Sequence, residues 1–159
     1  MTYTYALLAN PEFVVRSDGL CIQQGSTNPH WVEYQAWLSA GNVPTPVATP
    51  SVQAQAETLL ASTVTITSSG TPALNGQYTI TDADQAHINA VVTNILLNGT
   101  FPRGTTTYAW PDSSGTLHTF PDVTTFKAFA IAVAGYVAAL LQVVTGSSTT
   151  LPSSSLTIA

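Results

Sequence analysis

Charged side chains are scarce in this chain. Only 7% of its 159 residues are Asp, Glu, Lys or Arg, whereas about 25% is usual for a soluble domain. The positive charges are limited to Arg16, Arg103 and Lys127, and the formal net charge is −5. A nucleic-acid-binding surface needs several Lys or Arg side chains to neutralise phosphates. We therefore expect no nucleic-acid partner.

Residues that carry chemistry are equally sparse. Cys21 is the single cysteine, so the sequence allows neither an internal disulfide nor a cysteine-rich zinc site. The three histidines, His30, His87 and His118, show no metal-ligand spacing such as i, i+4. The P-loop, G-x-G-x-x-G and G-x-S-x-G motifs are absent as well. We predict no catalytic residue, no cofactor and no metal. A polysaccharide hydrolase stays open as an alternative, because two carboxylates far apart in sequence can meet in a fold.

Long apolar runs are limited to residues 128–144, which contain no charge over 17 positions. A membrane-spanning helix needs about 20 predominantly apolar residues. This run is shorter, rich in alanine and interrupted by Gln142, so we predict a buried core helix and no membrane partner. With 45% apolar residues the chain is predicted to fold rather than remain disordered. Its low charge favours assembly into an oligomer or a larger particle.

Residues 51–146 alternate between strand-like and helix-like patterns and predict an α+β body. In order, the predicted elements are a helix at 51–62, strands at 63–67 and 77–80, a helix at 82–99, strands at 105–110 and 116–120, and a helix ending near residue 145. Thr81 and Asp84 have capping-box spacing, and Asp122 is placed to cap the last helix. We predict a ββαββα body with one small, mostly antiparallel four-stranded sheet and its helices on one face. The polar residues 147–159 form a tail that is either loose or docked elsewhere.

The first 50 residues predict a separate docking arm. Residues 13–22 are compatible with a hairpin around Asp18-Gly19. Asn28 and Pro29 then open a short helix. The helix ends at Gly41-Asn42, and VPTPVATP at 43–50 predicts a stiff linker.

An aromatic face on that helix is the candidate binding site. Its members share one side of the helix because they recur at i, i+3, i+6 and i+7; they are Trp31, Tyr34, Trp37 and Leu38. Two interpretations stay open. The face packs on the chain's own core, or it anchors a partner protein, since Trp and Tyr dominate binding hot spots.

The same segment resembles a known module. It is similar to an N-terminal module of bacteriophage tail proteins and tail-fibre assembly proteins, and the similar stretch is FVVRSDGLCIQQGSTNPHWVEYQAWLSAGNVPTP. That module ends in the pattern Y-x-x-(Y/W)-L-x-x-G-N-x-P-x-P. The matching residues are Arg16, Asp18, Gly19, Asn28, Tyr34, Trp37, Leu38, Gly41, Asn42, Pro44 and Pro46. The proline that usually follows the apolar residue of the hairpin is absent, because Gln23 follows Ile22. Residues 66–137 resemble a C-terminal domain of unknown function found in the same phage and prophage proteins. The stretches that match are TPALNGQY, TTTYAWPDSSGTLHTF and FKAFAIAVAGYVAAL.

This resemblance implies where the protein acts, but it implies no chemical mechanism. It implies a non-enzymatic virion protein of the phage tail, at the tail tip, baseplate or fibre, made in the cytoplasm of a bacterial host. Its partners would be other tail or fibre subunits, and it would act as a homo-oligomer or in several copies. A tail-fibre assembly chaperone and a capsid decoration protein are alternatives that the resemblance leaves open.

Overall fold

The computed structural model describes residues 3–25 and 27–159, and the chain divides into two compact units between Thr49 and Pro50. This division lies one residue before the boundary predicted from the proline-rich segment. Both units combine helices and strands, so the chain has an α+β fold.

The first unit contains a three-stranded antiparallel sheet and one helix. In chain order its elements are β1 (Tyr5–Leu7), β2 (Phe13–Arg16), β3 (Cys21–Gln23) and α1 (Pro29–Ser39). The β2–β3 hairpin pairs Val14 with Ile22, and both side chains are buried. Gly19, at φ +89°, makes the turn between them, as its sequence predicts. β1 was not predicted, and it pairs with the other side of β2.

The proline-rich segment is held to this sheet at one point. Thr45 accepts a 2.9 Å hydrogen bond from the Leu7 amide and donates one of 2.9 Å to the Tyr5 carbonyl. The bridge is parallel and covers part of the free edge of β1, which otherwise would present unpaired backbone groups. Residues up to Thr45 are therefore part of the folded unit rather than of a free linker.

The second unit is built around a long C-terminal helix. In chain order its elements are α2 (Val52–Leu60), β4 (Thr63–Ser68), β5 (Gly76–Thr79), α3 (Asp82–Asn98), β6 (Tyr108–Pro111), β7 (Leu117–Phe120), α4 (Val123–Val144) and β8 (Ser155–Ile158). Short 3₁₀ helices occupy Pro72–Leu74 and Pro102–Gly104. Helix α4 packs against α2, α3, β7 and β8. Its buried side chains share one apolar core with those of the strands.

Local helix signals are confirmed in the second unit. Thr81 and Asp84 form a reciprocal capping box at the start of α3, in which Asp84 Oδ2 accepts from the Thr81 amide at 3.0 Å. Gly99, at φ +73°, ends α3 in the left-handed conformation. Asp122 caps α4 through a 2.8 Å hydrogen bond from the Thr125 amide. These ends were predictable because capping depends on neighbours within four residues.

The prediction of one four-stranded sheet is wrong. The two hairpins form separate sheets, one of strand order β5-β4-β8 and one made of β6 and β7. The free side of β4 is taken by the C-terminal strand β8, which runs parallel to it and pairs Ile66 with Leu156. Ile158 is only 3% exposed. The segment predicted as a polar tail therefore supplies part of the sheet and of the core.

Helix α4 is long and apolar enough to cross a bilayer, and it is the one helix of this kind within residues 3–25 and 27–159. In the folded unit Phe126, Phe129, Val133 and Leu140 are buried in the core. The helix therefore serves the packing role predicted from its sequence. Its opposite side keeps exposed apolar residues, among them Ile131.

Candidate partner-binding surface

Tyr34 is the centre of a small core in the first unit. It is 5% exposed and packs with Tyr5, Val14 and Ile22. Its ring centroid lies 5.0 Å from that of Tyr5 and 5.1 Å from that of Trp31. Burial raises the pKa of its phenol. Tyr34 was predicted as a partner-binding residue, but in this fold it positions α1 and cannot itself reach a partner.

The other three predicted binding residues surround Tyr34 and are only partly buried. Trp37 packs 5.0 Å from Tyr5, centroid to centroid, and Trp31 and Leu38 lie against the same cluster. Each side chain keeps part of its surface accessible. The packing interpretation therefore holds for Tyr34, and the accessible parts of the other three side chains leave the partner-binding interpretation open.

Arg16 joins the hairpin to α1. Its guanidinium binds Asp18 with two hydrogen bonds of 2.9 and 3.1 Å and Glu33 with one of 3.2 Å. It also lies 4.0 Å above the ring of Tyr3, a distance suited to a cation–π contact. The hydrogen bond from Arg16 lowers the pKa of Asp18 below its usual value. Arg16 is 9% exposed, so its charge is used in contacts inside the first unit.

The residues that carry the phage-tail resemblance have structural roles in this unit. Besides Arg16, Asp18 and Tyr34, Asn28 caps α1 by accepting from the His30 amide at 3.1 Å. Asn42 closes the other end by donating to the Trp37 carbonyl at 2.9 Å. These residues specify how the helix sits on the hairpin. Trp37 and Leu38 belong to the signature and stay partly accessible, and neighbours outside the signature are accessible too.

One such neighbour is Val32, which is 53% exposed. A shallow open depression is lined by Trp31, Val32, Gln35, Gln24 and Gly25. The sequence did not predict Val32 as a binding residue because it lies about 100° around the helix from Trp31. Val32 carried no distinctive signal, because single exposed apolar residues are common on protein surfaces.

The second unit holds one compact polar cluster, at the β6–β7 turn. His118 Nδ1 faces the Ala73 carbonyl at 2.7 Å and its Nε2 faces Asp112 Oδ2 at 3.2 Å. Ser114 Oγ donates to Asp112 Oδ1 at 2.7 Å, and its hydrogen bonds are with Asp112 and Thr116 rather than with the imidazole. This is not the nucleophile–base contact that acyl transfer requires. Within residues 3–25 and 27–159, no three His, Cys, Asp or Glu side chains form a metal-binding group.

Both imidazole nitrogens of His118 face acceptors, so both hydrogen bonds form only when the ring is protonated. The Ala73 carbonyl first, and the Asp112 carboxylate second, raise the pKa of His118, although burial opposes them. Hydrogen bonds from Ser114, His118 and Thr116 hold the pKa of Asp112 well below its usual range. Burial of the neighbouring Tyr78 side chain raises the pKa of its own phenol to about 12. When His118 is protonated, these two hydrogen bonds fasten the β6–β7 turn to the loop between β4 and β5.

This geometry predicts how stability depends on pH. The contribution of His118 is fully present below its unfolded pKa of about 6.5 and is lost as pH rises through the higher folded value. Asp112 contributes above its unfolded pKa of about 3.9 and loses its contribution as pH falls towards the lower folded value. We expect urea unfolding of the second unit to show a stability decline above about pH 6.5 that His118→Gln removes.

His87→Gln is the control for this prediction. His87 Nε2 contacts the Tyr108 hydroxyl at 3.1 Å, away from the Asp112 loop. The control should keep the decline that depends on His118. An unchanged pH profile in His118→Gln would show that the imidazolium does not stabilise the fold.

Comparisons with known proteins found no relative of this chain. No protein-family model matches the chain, and no curated protein or solved structure matches it.

Proposed function

We propose that this chain is a non-enzymatic attachment protein of a bacteriophage tail, in which the first unit binds another tail or fibre subunit. The observation that carries the proposal is the accessible surface beside the core of that unit. Trp31 keeps one side on Tyr34 and the other in the depression with Val32. Trp is among the residues that most often dominate protein-binding hot spots, and the contact with Tyr34 holds Trp31 in place.

The rest of the unit supports this role. Helix α1 is held at both ends by Asn28 and Asn42 and tied to the hairpin through Arg16. A contact surface on such a fixed element loses little conformational entropy when it binds. Residues 46–49 are exposed and contain Pro46, so the segment towards the second unit is short and stiff. The phage-tail resemblance suggests the class of partner, and the described residues suggest protein contact rather than chemistry.

The proposal predicts a specific loss of binding in Val32→Asp. A new charge beside Trp31 in the depression should weaken capture of the partner about tenfold or more, because the partner would have to desolvate that charge. The fold should survive, because Val32 is exposed and an anion in the first half of α1 is compatible with the helix dipole. The measurement is pull-down of tail and fibre proteins from dissociated virions with the tagged full-length chain.

Val43→Asp is the matched control. Val43 is 82% exposed and lies outside the depression, so the same substitution there should leave capture unchanged. Mass spectrometry of purified virions gives a second test. A tail component must be present in intact particles, whereas an assembly chaperone would bind fibre protein and be absent from them. Equal capture by both variants would contradict the proposed surface.

A further inference from the structure

Helices α3 and α4 form an antiparallel pair with an apolar groove on their exposed side. Near one end, Gln85 and Ile88 of α3 face Ala138 and Leu141 of α4 across a cavity of about 250 Å³. Near the other end, Leu96 and its neighbours on α3 face the first half of α4 across a cavity of about 300 Å³. Asn89, Ala130 and Ala134 line both cavities, so the two form one continuous groove.

Large apolar side chains border this groove although no residue of the second unit covers them. Ile131 is 72% exposed, Leu96 is 71% exposed and Leu141 is 47% exposed. Between Ile131 and Leu141 the same face of α4 carries Ala134 and Ala138. This face therefore has bulky ends and a shallow centre, which allows a second helix to approach closely.

The face is self-complementary in an antiparallel arrangement. Its residues Ile131, Ala134, Ala138 and Leu141 are separated by 3, 4 and 3 positions, and this spacing is the same in either chain direction. A two-fold axis beside residue 136 would set Ile131 of one copy against Leu141 of the other. The same operation would set Ala134 against Ala138, so that the two shallow centres meet.

The charges at the ends of the groove also match after this rotation. Lys127 lines the groove where α4 begins. At the other end lie the C-terminal carbonyls of α4 and the N-terminal turn of α3, which carries Asp82 one turn before Gln85. The rotation would bring Lys127 of each copy towards the last turn of α4 and towards Asp82 in the other. Opposite charges and the α4 dipole would therefore favour the antiparallel register.

We propose that the α3–α4 groove is the interface of a two-fold symmetric dimer, and that its occupant is the same groove of a second copy of this chain. The inference does not depend on the tail function or on the first unit. Two helices side by side, each about 10 Å wide and overlapping over about 25 Å, give a face of roughly 500 Å² per copy. That area is at the low end for specific complexes, so the dimer is expected to be concentration-dependent.

Disulfide trapping in a Cys21→Ser background tests the register. The free Cys21 is exposed and must be removed first. Ile131→Cys and Leu141→Cys combined should give a covalent dimer under mild oxidation. Neither single variant should do so, because like positions of the two copies would lie about 15 Å apart. The same distance prevents a bond within one helix, since a disulfide needs Cα atoms within about 7 Å.

Sedimentation of the full chain tests the interface without cross-links. The wild type should pass from monomer to dimer as concentration rises, and Ile131→Asp should remain monomeric. Leu117→Asp is the matched control, because Leu117 is 67% exposed on β7 and does not line the groove. It should dimerise like the wild type.

Three outcomes would overturn the proposal. The wild type could stay monomeric at every concentration, or the single and double cysteine variants could cross-link equally. The monomer could also bind phosphatidylcholine vesicles through Ile131, which would assign the groove to a membrane.

Discussion

Removing β8 is expected to destabilise the second unit by about 3 kcal/mol or more, as for the loss of a large buried aliphatic side chain. Ile158 is 3% exposed, and Leu156 packs against the same core. The strand also forms the parallel ladder with β4 that begins at Thr65 and Ser155. Truncation after Ser154 would expose that edge of β4 together with the apolar side chains beneath it, and an uncovered edge favours aggregation.

Urea unfolding followed by the fluorescence of Trp110 in a Trp31→Phe, Trp37→Phe background is the appropriate measurement, because Trp110 is buried in the second unit and the other two tryptophans lie in the first. The point variant Ile158→Ala should reproduce most of the loss, about 2–5 kcal/mol for a well-packed aliphatic side chain. Thr157→Ala is the matched control, since Thr157 is exposed on the same strand. A truncated chain with an unchanged unfolding midpoint would show that the strand is not needed for stability.

Local signals in the sequence predicted most helices and hairpins correctly. The Thr81–Asp84 box, Gly99 and Asp122 each act over four residues or fewer, so their effect can be recognised without knowing the fold. The β2–β3 hairpin was predictable for the same reason, because its turn carries Asp18 and Gly19.

Pairing between distant segments could not be predicted in this way. The β8 strand has only Leu156 and Ile158 as alternating apolar residues within a Ser- and Thr-rich stretch. Its partner β4 lies about 90 residues earlier in the chain, and nothing local specifies that partner. The bridge of Thr45 to β1 is a similar case, since its hydrogen bonds use backbone atoms that any sequence provides.

The candidate surface was predictable in part. Helical periodicity correctly grouped Trp31, Tyr34, Trp37 and Leu38 on one face, but it does not say what that face contacts. The answer depends on Tyr5, Val14 and Ile22, which become neighbours of Tyr34 only after the sheet forms. Val32 was overlooked because periodicity places it off that face, and its proposed role rests on its exposure in the folded unit.

Tyr34→Ala is expected to unfold the first unit entirely. Loss of a buried aromatic side chain costs about 3–5 kcal/mol. A core in a unit of fewer than about 70 residues rarely supplies more than about 3–5 kcal/mol in total. Tyr34 is one of four buried residues in this cluster and contacts the rings of Tyr5, Trp31 and Trp37. The cluster shares no member with the core of the second unit, so we expect the loss to be confined to the first.

Amide hydrogen exchange, measured separately for each unit, distinguishes a core role of α1 from a binding role. Tyr34→Ala should abolish protection in β1, β2, β3 and α1, whereas Tyr34→Phe keeps the ring and should retain it. Val32→Asp should keep protection and lose only the partner, because Val32 lies outside the buried cluster. If Tyr34→Ala kept its protection, Tyr34 would not be the centre of the core. Loss of protection in Val32→Asp would instead show that Val32 is needed for the core. The basis for a separate binding site would then be removed.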